Sequence, residues 1–217
     1  MQDGTTRASF PTLILINDEG VVPYVDIGIV TKKGRFKMSI KGAIGHFKTI
    51  TKHRHMVIKH AFKAGIGLRG LMHDLSKYTP AEFASGARYY TDGKRSPNEA
   101  ERTVYGYSKA WLHHKGRNRH HFEYWTDYNP ATKKVSPIKM PKIFVLEMFC
   151  DRVAASKIYQ GANYHQGHPL EYFSRGKANR AIHKETSDYL ESLLVMLAEK
   201  GEDETFAYIR RTKNEDY

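Results

Sequence analysis

Histidine is the residue most able to do chemistry in this chain, and the twelve histidines fall in groups. His53, His55 and His60 share one segment. His73-Asp74 follows within Leu71-Met72-His73-Asp74-Leu75-Ser76-Lys77-Tyr78. Two adjacent pairs, His113-His114 and His120-His121, lie in the segment from Ala110 to Trp125. Asp151 comes later, with Glu147 one helical turn before it. Imidazole nitrogen and carboxylate oxygen together suit borderline divalent ions such as manganese, iron, cobalt, nickel or zinc. A lone His-Asp dipeptide means little, because it is more often a surface pair or a satisfied core pair. The order of the groups carries the signal: a histidine-bearing helix, then His73-Asp74 followed by Ser76-Lys77, then a helix centred on Asp151. His60, His165, His168 and His183 are expected at the surface or at helix ends, and His46 is read either way.

Cations near such a site could neutralise anionic oxygens. Lys77, Lys115 and Arg117 are candidates, and a solvated basic face is the plainer alternative for each. Arg117 has the planar fork that grips phosphate in a bidentate manner. Asn118 is read as a ligand contact or a turn cap. Trp111, Tyr124 and Trp125 could stack on a base, but aromatics beside helices are more often core, and Trp111 is assigned there.

The elements that must position these groups are mostly helical. Residues 40–64 carry Ile44, Phe47, Ile50, Val57, Ile58, Ala61 and Phe62 at helical spacing, with Gly65 at the C-terminal end. A short helix is expected over residues 68–77, presenting His73 and Asp74 together. Thr79-Pro80-Ala81-Glu82 and Ser96-Pro97-Asn98-Glu99 each spell a helix start. The second opens a stretch that reaches His113 or His114, with Gly106 as a break. Residues 128–141 contain Pro130, Pro137 and Pro141 and read as a loop. A long helix follows to about Tyr159, with Val145, Met148, Phe149, Val153 and Ala155 as its core positions. Helices over 169–181, 185–200 and 202–211 complete the chain. Residues 1–37 differ, since the β-branched runs 12–16 and 21–30 flank the turn signal Asn17-Asp18-Glu19-Gly20. They read as a short β-hairpin extension, with the all-α functional domain spanning 38–217.

With 40% hydrophobic and 12% aromatic residues, the 217-residue chain can build one core and is short for two. No apolar run approaches the roughly 18 residues of a membrane-spanning helix, and no basic region precedes the apolar N-terminal stretch as a signal peptide requires. A single cysteine, Cys150, excludes an internal disulfide and suits a reducing cytoplasm. The net charge of +12 favours anionic partners, either a phosphorylated small molecule or nucleic acid. A membrane partner is not expected, and a homo-oligomer is compatible with the composition.

The order His53, His73-Asp74, Asp151 on successive helices resembles the HD superfamily of metal-dependent phosphohydrolases. His73-Asp74-Leu75-Ser76-Lys77 looks like that family's His-Asp-x-Gly/Ser-Lys segment, and His53 is followed by Val57 as its first motif histidine commonly is. More narrowly, HDLSKY with AWLHHKGRNRHHFEYW is similar to a bacterial and phage branch of HD-like proteins. The resemblance spans residues 38–161 and implies an HD-like helical bundle in which His53, His73, Asp74 and Asp151 hold one metal. His55 competes with His53 for the first position. Some relatives add histidines between the His-Asp pair and the last Asp, and hold two metals. His113 or His114, with His120 or His121, would then complete a second site. His114 and His121 are the working choice, although the spacing does not say which members face inward.

The implied activity is hydrolysis of a phosphate ester, a nucleotide or related metabolite, by a metal-activated water. Asp74 would hold the metal and help place that water. Lys77 and Arg117 would hold the phosphoryl group, with Asn118 beside them, and Glu82 or Glu147 would carry the proton. Two other readings stand beside this one. A nucleic-acid-binding protein with structural histidines would rely on its charge alone. An HD-type oxygenase would use paired iron.

Overall fold

The computed structural model describes residues 16–17, 20–21, 38–93 and 95–217. It is mostly helical, with two small antiparallel hairpins. In the first, β1 (Ile16–Asn17) pairs with β2 (Gly20–Val21) in the register Ile16↔Val21 and Asn17↔Gly20. The pairing of Asn17 with Gly20 agrees with the hairpin expected there, while Asp18 and Glu19 lie outside the described residues. The remainder of the hairpin read over residues 12–30, and the rest of the extension to residue 37, lie outside the described residues.

α1 (Ile40–Lys63) opens at Ser39, whose side chain accepts a hydrogen bond from the Gly42 amide at 2.9 Å. It ends where Gly65 takes a φ of +75°, as its position predicts. α2 (Gly67–Met72) turns back against α1. The approach is close at Gly70, where an added Cβ would lie 2.5 Å from the Cβ of Ala61. This contact carries the end of α2 back alongside α1. The expected helix over 68–77 stops short, because Asp74 adopts the left-handed region (φ +53°, ψ +26°) and a 3-10 turn, Leu75–Tyr78, follows. A straight helix would set adjacent side chains about 100° apart, so the break lets His73 and Asp74 face one point.

α3 (Pro80–Arg88), α4 (Pro97–Tyr105) and α5 (Lys109–Lys115) come next, with Gly106 ending α4 at a φ of +77°. Ser108 caps α5 by accepting from the Trp111 amide at 3.0 Å. The stretch read as a loop contains a second hairpin, β3 (Thr126–Asn129) with β4 (Lys134–Pro137). Lys133 supplies the positive φ its turn requires, and Pro137 stands at a strand end, where a missing amide is tolerated.

α6 (Lys142–Gln160) is the central helix. Residues Phe144 to Cys150 are all buried, along with Val153 and Ala154, so this helix is enclosed around most of its circumference. α7 (His168–Gly176) and α8 (Lys184–Thr212) pack on it through Phe173, Leu190, Leu193, Leu194, Leu197, Phe206 and Ile209. α8 breaks at Gly201, whose φ of +87° separates the two helices expected there. Val57 and Ala61 of α1 complete the core.

Not every apolar residue of these helices reaches the core. Ile44, Phe47 and Phe62 are exposed, because α1 turns only one narrow stripe, through Ile50, Val57 and Ala61, toward α6. Ala155 is half-buried. His60, expected at the surface, is buried against Phe206 with ring centroids 5.5 Å apart. Among the described residues, no helix is long and apolar enough to cross a membrane.

Candidate metal centre

Four segments converge on one point. His53 comes from the middle of α1, His73-Asp74 from the break after α2, His114 from α5, and Asp151 from α6. His120 and His121 lie in the turn after α5. His53 Nε2 lies 2.8 Å from Asp151 Oδ1, and His73 Nε2 lies 3.2 Å from Asp74 Oδ2 and 3.6 Å from Asp151 Oδ1. The other oxygen of Asp74, Oδ1, lies 3.3 Å from His114 Nε2 and 3.5 Å from His120 Nε2. His121 Nε2 stands 2.9 Å from His114 Nε2. Two groups of donor atoms result, each compact enough to hold an ion and sharing Asp74: His53, His73 and Asp74, and Asp74, His114, His120 and His121.

Charged groups surround the histidines on their outer sides. Glu147 Oε1 lies 3.2 Å from His73 Nδ1 and 3.3 Å from His120 Nδ1, while Glu147 Oε2 receives Arg69 Nη2 at 2.7 Å. Glu82 Oε2 lies 2.8 Å from His114 Nδ1. A carboxylate behind Nδ1 keeps the proton there and leaves Nε2 as the lone-pair donor toward the centre, the usual support of a metal-binding imidazole. Both Glu147 oxygens are thereby engaged. Glu82 is engaged likewise, its Oε1 lying 2.7 Å from His113 Nδ1.

The donor set fits a cation. His53 Nε2, His73 Nε2, His120 Nε2 and both Asp74 oxygens are buried atoms that make close approaches but no hydrogen bond of acceptable geometry. Buried polar atoms left that way are costly, and a shared ion satisfies all of them at once. Burial pushes the His114 and His121 pKa values down, the latter further because His120 and His114 stand beside it. Neutral imidazoles meeting nitrogen to nitrogen suit a cation between them. Burial lowers the His73 pKa as well, but the Asp74 charge and the adjacent Asp151 and Glu147 carboxylates outweigh it and raise that pKa well above the ordinary value. Asp74 and Asp151 are likewise held well below the usual carboxylate range despite burial: His73 and Lys77 act on the first, His53 and His73 on the second. The cluster is thus built to surround positive charge.

The remaining candidates separate clearly. Lys77 Nζ stands 2.7 Å from Asp74 Oδ2, beside the centre. Arg117 is exposed and outside the cavity, because the chain turns away after Gly116. Asn118 does not line the cavity either. Its side-chain amide donates to Ser76 Oγ and to the His114 carbonyl, both at 2.8 Å, and so braces the His-Asp turn against α5. His55 is exposed, leaving the first position to His53. His113 turns to Glu82, and His120, outside the working choice, joins His121 at the centre. Asp151 pairs with His53 rather than with Arg152 or Lys157. In a different trio His165 and Glu171 are exposed and His168 is half-buried, and both histidines accept backbone amides at Nδ1.

The centre opens into a cavity of ≈ 440 Å³, within the range of small-molecule sites. Its walls include Lys77, Tyr90, Trp111, Arg152, Tyr159 and Tyr172. Trp111, assigned to the core, is half-buried on this wall, its ring 4.8 Å from that of His121.

The model of a family of unknown function, DUF5662, matches residues 42–196, a span that contains every residue of the cluster. No curated protein and no solved structure matches the chain. The chain belongs to the DUF5662 family.

Proposed function

We propose that this DUF5662 protein is a metal-dependent phosphohydrolase of the HD type, acting on a nucleotide or related phosphate ester. The observation behind the reading is the convergence of unsatisfied donor atoms on Asp74, behind His53, His114, His121 and Asp151, which line a ligand-sized cavity. His53, His73, Asp74 and Asp151 would hold one divalent ion, and His114, His120 and His121 would hold a second with Asp74. Manganese, iron, cobalt, nickel and zinc all accept such nitrogen and oxygen donors. An ion bound there supplies Lewis acidity toward a phosphoryl oxygen and toward water near neutral pH.

The chain's own groups do the rest. Burial disfavours the Lys77 ammonium, but Asp74 and Asp151 outweigh it and raise its pKa, so it stays charged beside the centre. It would receive a phosphoryl oxygen there. Glu82 and Glu147 hold protons at Nδ1 of their histidines and fix the rings. The aromatic wall limits water access and offers flat surfaces to the remainder of the substrate.

The test is a panel of nucleotides and simple phosphate esters assayed with manganese, cobalt or nickel, for the wild type and for Asp74→Ala. Loss of both bound metal and turnover in the variant is expected. Unchanged metal content with unchanged turnover would sink the proposal. The histidine-rich second group also suits paired iron, so purification with iron and a redox-sensitive absorbance would favour oxygenase chemistry. Tight, steeply salt-dependent nucleic-acid binding without metal would favour the basic surface as the functional part.

A further inference from the structure

Arg152 follows Asp151 on α6 and lines the same cavity, yet has no anionic partner of its own among the described residues. Its Nε is buried without a hydrogen bond. The guanidinium is positioned by packing, 5.7 Å from the ring centroid of Phe173, a residue with no solvent exposure. Arg180 shows the alternative arrangement on that same ring. Its guanidinium lies 5.1 Å from the centroid, but its Nη1 donates to the Phe173 carbonyl at 2.5 Å and its Nη2 approaches the Tyr172 carbonyl at 3.4 Å. One cation on Phe173 is thus consumed in holding the chain, while the other keeps its donors for the cavity. Arg175 of α7 lines that cavity too, so this wall adds positive charge beyond Lys77.

A half-buried guanidinium with an unsatisfied N–H is costly unless something accepts from it. The fork of donors matches an oxyanion in a bidentate manner. Asp151 cannot serve, because it is committed to His53 and to the metal cluster. We infer that Arg152 is the binding site for a second oxyanion of the substrate, so that the substrate carries one anionic group at the metal centre and another at α6. This inference rests on the phosphohydrolase reading and narrows it to doubly anionic substrates, for which Arg152 is the specificity-determining residue.

Alkane α,ω-bisphosphonates of increasing length, which cannot be hydrolysed, test it against alkyl monophosphonates of matching length. Binding to the metal-loaded, full-length protein is measured by calorimetry, with metal content checked for each variant. At the best length the bisphosphonate should bind wild type about tenfold or more tighter than the monophosphonate, the size expected of a charge-assisted pair. Arg152→Gln should collapse that ratio toward one, and Arg152→Lys should keep part of it. If Arg152→Gln retains the full bisphosphonate advantage while both ligands still require metal, the inference falls and the phosphohydrolase reading stands. If neither phosphonate binds metal-loaded wild type, both fall together.

Discussion

Oε2 of Glu82 lies 2.8 Å from Nδ1 of His114, on the opposite side of the ring from Asp74. A carboxylate in that place sets the tautomer of the imidazole and raises its basicity toward a metal. Replacing Glu82 with Gln should lower the affinity for the second ion by about 10- to 100-fold. Competition with a chelator that reports the two ions separately would measure it. Equal affinity in the variant would mean that Glu82 is merely a buried neighbour.

His113 and His114 sit on α5, where successive side chains diverge, whereas His120 and His121 sit in an irregular turn. His120→Ala should therefore strip metal as thoroughly as His121→Ala, and His113→Ala should leave metal stoichiometry intact. Elemental analysis of the three purified variants decides this.

The two expected phosphate-binding cations should differ sharply. Lys77→Ala should lower turnover by about 100-fold, the usual scale for removing one positioned charge from a phosphoryl site. Arg117→Ala should leave turnover unchanged, since its side chain is exposed away from the cavity.

His60 gives a pH signature independent of the metal. Burial, with the Lys157 charge beside it, lowers its pKa to about 4 from the ordinary 6.5. The unfolded chain then binds the extra proton first, so stability is full above pH 6.5 and falls as the pH drops toward 4. The loss should reach about 3 kcal/mol at the low end. His60→Gln should flatten that part of the profile in urea melts at pH 7 and pH 4.5. A variant that loses stability over this range as steeply as wild type would exclude His60 as the cause.

Phe149 has no solvent exposure and packs on Phe206. Phe149→Ala should destabilise by about 3–5 kcal/mol through lost contact and a residual cavity. Thermal melts with and without metal would also show how much of that an ion restores.

Much of this arrangement was legible from residue type and order. Helix periodicity and the Gly65 and Gly106 stops found the helices, and the histidine order found the segments that meet at Asp74. What spacing could not supply was direction. A stripe of apolar residues marks a helix but not how much of its face will be covered, and Ile44, Phe47 and Phe62 of α1 are exposed. His60 reads as polar, yet the surrounding Cys150 carbonyl, Lys157 and Phe206 come from distant parts of the chain. Arg117 lies three residues from His114 in sequence, but a turn at Gly116 sends it the other way. Glu147 was visible as a neighbour of Asp151, whereas its place behind two histidines depends on contacts that only the fold creates.

Glu147 and Asp151 stand one turn apart on α6 and meet opposite nitrogens of His73, Nδ1 at 3.2 Å and Nε2 at 3.6 Å. One imidazole is therefore gauged against a single helical pitch. A slide or rotation of α6 changes both contacts at once, so the affinity for an ion held as proposed would follow the register of that helix. On the proposed metal reading, a ligand or partner that displaced α6 would release the ion, and a chelator titration would report the position of a helix.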